Sequence, residues 1–213
     1  MTHGGIARFL AALGVCWTFA VPPAAALPRG YSGADILNNC ADAALCEAFL
    51  LALLDSHDAL IAWTQTPSRI CPAASATPAA LWRPVRARLQ LRPELLGASA
   101  GSLVLDVLQV DNRCPANAAP ARPLFDAAWT GTDLVYLCWN PVLCDAFVFG
   151  ALDAHQTLVD WQRIPTQYVC LPEDIAVAQM RVGMLTYLGE HTEQLGYTAG
   201  SLVLLAMAQR YPC

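Results

Sequence analysis

Lysine is absent from this 213-residue chain, so all twelve of its basic residues are arginine, and charged residues of any kind make up only 14 %. Clustered cations are what nucleic acid and anionic membrane surfaces require of a partner. A chain with formal charge −5 and no lysine therefore does not read as a ligand for either. Glycine-rich phosphate loops are missing, as is the G-x-S-x-G elbow of a serine hydrolase. No pair of cysteines has the close C-x₂₋₄-C spacing of a structural zinc site. Beyond the amino-terminal segment the richest apolar runs, 49–54 and 202–208, are too short to span a bilayer and suit buried helix faces.

What is present begins with an export signal. Arg8 and the amino terminus supply positive charge, residues 9–21 form an apolar stretch, Pro22 and Pro23 end it, and Ala24-Ala25-Ala26 offers a cleavage site. Residues 1–26 are therefore expected to be removed, with the mature chain exported, to the periplasm, without stable membrane insertion. Cleavage removes Arg8 and Cys16 and leaves a formal charge of −6 and eight cysteines. An even cysteine count in an exported chain is first a disulfide framework.

The cysteines also expose a duplication. Cys40, Cys46, Cys71 and Cys114 are separated by 5, 24 and 42 residues, and Cys138, Cys144, Cys170 and Cys213 by 5, 25 and 42. The same offset of 98 to 99 residues relates Asp35 to Asp133, Phe49 to Phe147, Asp55 to Asp153, His57 to His155 and Trp63 to Trp161, and the string AGSLVL occurs at 100–105 and 199–204. Between the copies, 115–123 is rich in proline and alanine and reads as a linker. The expected organisation is all-α: two tandem small four-helix domains at 31–114 and 130–213, joined by 115–129.

In each copy a short helix follows Ser32-Gly33 or Thr130-Gly131, and a long second helix runs to Trp63 or Trp161. A third helix follows the third cysteine, opening at Pro172-Glu173-Asp174 in copy two and shortened or kinked in copy one by Pro78 and Pro84. A fourth starts after Ser99 or Thr198. Domains of 80 to 90 residues bury little core, so two disulfides per copy are expected as staples; of the three pairings four cysteines allow, spacing selects none.

Few residues suggest chemistry. In the repeated Asp-x-His (Asp55/His57, Asp153/His155) the two side chains point about 200° apart on a helix and cannot converge on one ion or proton. The histidines read as core-edge residues, and the aspartates as either bonding a neighbouring helix end or facing a partner, the structural role being favoured. Gly101 and Gly200 read as sites of close helix packing, and Phe49, Phe147, Trp63 and Trp161 as core. No cofactor, metal site or catalytic constellation is implied. The copies differ in charge: copy one's third-helix region carries Arg83, Arg86, Arg88 and Arg92, whereas copy two's has Arg181 and ends in Glu190 and Glu193.

Each copy resembles the Rap/Tai family of bacterial immunity proteins associated with type VI secretion. The resemblance rests on Cys-x₂-aromatic-x₂-small-x₂-Asp (Cys46, Phe49, Ala52, Asp55; Cys144, Phe147, Gly150, Asp153), on Cys71-Pro72 and Cys170-Leu171-Pro172, and on Arg210-Tyr211-Pro212-Cys213. It implies a periplasmic, non-enzymatic helical protein that caps a cell-wall-degrading amidase effector. It also suggests that a monomer of two copies stands in for the homodimer some relatives form. A binding or scaffold module of the same fold without a toxin partner is the second possibility. Copy one departs from the family ending, with Asn112-Arg113-Cys114. The expected contact surface is the third helix and following turn of each copy: Arg86, Arg88, Arg92 and Glu94, and Glu190, His191, Glu193 and Gln194.

Overall fold

A computed structural model describes residues 31–73, 75–115 and 129–213. The expected signal segment and most of the linker lie outside these residues. The described chain is all-helical, with no strand beyond isolated bridges. Repeat one comprises α1 (Gly33–Asn39), α2 (Ala43–Thr64), α3 (Pro78–Leu91) and α4 (Ala100–Asp111); repeat two comprises α5 (Gly131–Leu137), α6 (Pro141–Asp160), α7 (Val177–Glu190) and α8 (Ala199–Arg210). A 3₁₀ turn follows α3 at Pro93–Leu95 and α7 at Thr192–Gln194.

Local chemistry sets the helix starts. Ser32 and Thr130 each form a capping box with the aspartate three residues on, Asp35 and Asp133. Asp42 and Asn140 accept from the first-turn N–H groups of α2 and α6. Thr77 caps α3, whose first residue is Pro78, where a missing N–H costs nothing. Pro84 sits inside α3 without ending it, and α3 and α7 both contain 14 residues, so the expected shortening does not occur. The start of α7 also differs from expectation. Residues 172–175 form a turn closed by Ile175 N–H to the Pro172 carbonyl, and the helix begins at Val177, where the Gln179 side chain accepts from Ala176 N–H.

All eight described cysteines are in disulfides, and the bridges stay within repeats: Cys40–Cys46, Cys71–Cys114, Cys138–Cys144 and Cys170–Cys213. The first of each pair ties the end of the short helix to the first turn of the long one. The second pins the loop before the third helix to the chain after the fourth, beside the backbone bonds Cys71 N–H to Asn112 and Cys170 N–H to Tyr211. Each bridge typically stabilises by about 2–4 kcal/mol.

The repeats do not keep separate cores. Among the described helices α2 and α6 form the most extensive contact, and α2 also meets α8 while α6 meets α4. One continuous buried cluster includes Phe49, Leu53, Phe147, Leu134, Val104 and Val203 from both halves. Helix α2 is buried nearly all round, with Ala48 to Leu54 unbroken in the interior, as befits a helix covered by its own repeat on one side and by its partner on the other.

Helix α6 is, by length and composition, apolar enough to cross a membrane, which corrects the expectation that no segment past the signal reaches that length. Its side chains are spent on the interior: Phe147, Val148, Ala151 and Ala154 are buried, and the helix serves as a core element.

Candidate partner-binding surface

The contact between repeats is reciprocal. Helices α2 and α6 cross where Gly150 meets its own counterpart, Ala52: a Cβ at Gly150 would run into the Phe49 carbonyl and the Ala52 methyl. Beyond that crossing, Asp55 of α2 accepts a hydrogen bond from Gly200 N–H at the start of α8, at 2.6 Å. Asp153 of α6 likewise accepts from Gly101 N–H at the start of α4, at 2.5 Å. Each carboxylate thus caps the last helix of the opposite repeat, where orphan N–H groups and the helix dipole favour an acceptor.

The glycines have a steric reason as well. A Cβ at Gly101 or Gly200 would stand 2.9 Å from the Asp153 or Asp55 oxygen that makes this bond. Burial is the larger influence on these carboxyls and pushes both up to about 6, against the opposing pull of the glycine N–H.

The histidines next to these aspartates are buried, as the spacing led one to expect. His155 Nε2 accepts from Tyr168 N–H at 3.1 Å, which requires an unprotonated nitrogen, and burial holds its pKa down at about 4. His57 Nδ1 lies 3.2 Å from Asp58. Asp and His of each Asp-x-His do not meet, so the motif carries packing. Among the aromatics, Phe49 and Phe147 are core, but Trp63 is 44 % exposed at the end of α2, which corrects its assignment to the interior.

The expected contact residues fall into two separate groups. Arg86, Arg92 and Glu94 are exposed and Arg88 half-buried at the end of α3, where Arg92 pairs with Glu94 and a shallow groove is lined by Pro84, Ala87, Arg88, Leu91, Arg92 and Asp111. Glu190, which ends α7, and Glu193 in the turn after it are exposed, whereas His191 stacks on Tyr187 and Gln194 accepts from the Tyr187 hydroxyl, so these two support the turn from inside. Helix α3 packs on α2 and α4, and α7 on α6 and α8. The fold therefore presents the two groups on different repeats.

One exposed feature was not singled out from sequence. The junction of α5 and α6, pinned by Cys138–Cys144, displays Tyr136 at the end of α5, Trp139 in the loop and Val142 in the first turn of α6, the two rings edge to face at 5.0 Å. The signal was available in the repeat alignment, where copy one has Asn38, Ala41 and Ala44 at these positions.

No curated protein and no solved structure matches the chain. The family comparison is positive for one repeat, and it begins at the cap of α5 and ends at the last cysteine. Residues 130–213, the whole of the second repeat, match the family model of the Rap1a immunity proteins.

Proposed function

We propose that the chain is a periplasmic immunity protein that binds and neutralises a cell-wall-degrading, amidase-type effector of a secretion system. The carrying observation is the match of residues 130–213 to the Rap1a immunity proteins. Four disulfides favour an oxidising compartment, in keeping with export. The mechanism is steric: a stapled helical surface covers the effector, with no bond made or broken by this chain. The first repeat supplies the second half of the core, so that one polypeptide does what two subunits of an isologous dimer would do. The test is co-expression in a periplasm with candidate peptidoglycan-amidase effectors, taken first from the genes neighbouring this one. Cells carrying both are expected to survive, and cells carrying the effector alone to lyse; equal lysis with and without this chain would defeat the reading.

A further inference from the structure

We infer that the junction of α5 and α6, with Tyr136, Trp139 and Val142, is the principal docking surface, and that its occupant is a protein with a basic rim around an apolar recess. This rests on the proposed function for the identity of the occupant as the effector.

Three observations carry it. The first is exposure: Trp139 is 78 % exposed, and Tyr136 and Val142 are each 59 % exposed, in one seven-residue stretch. Single exposed apolar residues are ordinary, and Leu91, Val110 and Val182 are of that kind, but an exposed Trp-Tyr pair in contact is the composition of an interface anchor. The second is rigidity. Cys138–Cys144 closes the loop, Asn140 caps α6, and Arg181 reaches back to the Pro141 carbonyl and pairs with Asp145, so little ordering entropy is lost on binding.

The third is charge. Residues 130–213 hold three arginines against eight carboxylates. One of the three, Arg181, is engaged with Asp145. Asp133 lies one helical turn before Tyr136 on α5, exposed, and the Thr130 N–H and hydroxyl hold its carboxyl below the usual range and hence ionised. An apolar anchor with an anionic edge is complementary to a basic rim. Copy one, with Asn38, Ala41 and Ala44, lacks the anchor, so the duplicated halves are divided in role.

The test uses the intact disulfide-bonded chain and a catalytically inactive form of the amidase effector against which co-expression shows protection. Trp139→Ala is expected to weaken binding about 30-fold or more. The triple change Tyr136→Asn, Trp139→Ala and Val142→Ala, which installs copy one's residues, is expected to weaken it over 100-fold with an unchanged thermal midpoint and four intact disulfides. Wild-type binding should also weaken with added salt. A folded triple variant that binds within threefold of wild type overturns the docking surface while leaving the proposed function standing. Loss of binding from Arg86→Ala with Arg92→Ala instead would do the same. Failure of the intact chain to bind overturns the proposed function, and the occupant with it. Two controls exclude other occupants: concentration-dependent dimers abolished by the triple variant, or co-sedimentation with phosphatidylcholine vesicles through Trp139, would each contradict the assignment.

Discussion

Asp153 has two jobs that conflict. It must be buried to reach Gly101, and burial disfavours the charge that makes it a good cap. A carboxyl with a folded pKa near 6 and an ordinary value of 3.8 contributes stability that is complete below about pH 3.8 and lost as pH rises through 6. His155 runs the other way: with a folded pKa near 4, its contribution is complete above the ordinary 6.5 and lost as pH falls through 4.

Asp153→Asn keeps an acceptor for Gly101 and removes the first titration. Relative to wild type, its unfolding free energy in urea, disulfides intact, is expected to gain on the order of 3 kcal/mol between pH 4 and pH 7.5. Parallel profiles for the two proteins would contradict this. Asp153→Ala, which leaves the Gly101 N–H without its acceptor, is expected to lose about 1–3 kcal/mol at pH 5. The sequence was enough to show that Asp and His two apart on a helix could not work together. It could not show that Asp55 meets a backbone group 145 residues away, because that pairing exists only once both repeats have packed.

The starts of α1 and α5 were legible because a side chain caps the backbone locally: Ser32 with Asp35 and Thr130 with Asp133 announce their helices within four residues. The opening of α7 was misplaced because Pro172, Glu173 and Asp174 carry first-turn chemistry, yet Cys170 is tied to Cys213 and to the Tyr211 carbonyl, and the chain turns once before the helix starts. Helix packing separates two glycines that look alike in sequence. Gly150 lies at the α2–α6 crossing with no room for a Cβ, whereas a Cβ at Gly189 in α7 would meet nothing within 4 Å. Gly150→Ala is expected to destabilise by about 1–3 kcal/mol through overpacking. Gly189→Ala is expected to stabilise by about 0.4–1 kcal/mol by restricting the unfolded chain. Thermal or urea unfolding of the two variants checks both signs, and equal effects would place the helix crossing elsewhere.

At the scale of the molecule the duplication was plain from cysteine spacing alone, but its packing was not. The clue lay in α2, whose apolar residues 49–54 leave no polar face, so a single 84-residue repeat could not cover it. Reciprocal capping by Asp55 and Asp153 and the merged core make each repeat the complement of the other. A protease site placed within 116–128 and then cut should therefore leave the halves together through gel filtration; halves that separate under native conditions would refute the shared core. The same twofold likeness sharpens the functional question, because the framework is symmetric and the exposed residues are not: copy one has arginines along α3, copy two the Tyr136–Trp139 pair and an acidic surface. The direct measurement is the mass of the complex between this chain and the proposed amidase effector, by sedimentation or native mass spectrometry. One chain bound to one effector is predicted, since a single repeat carries the anchor; two effectors per chain, or none, would contradict the account.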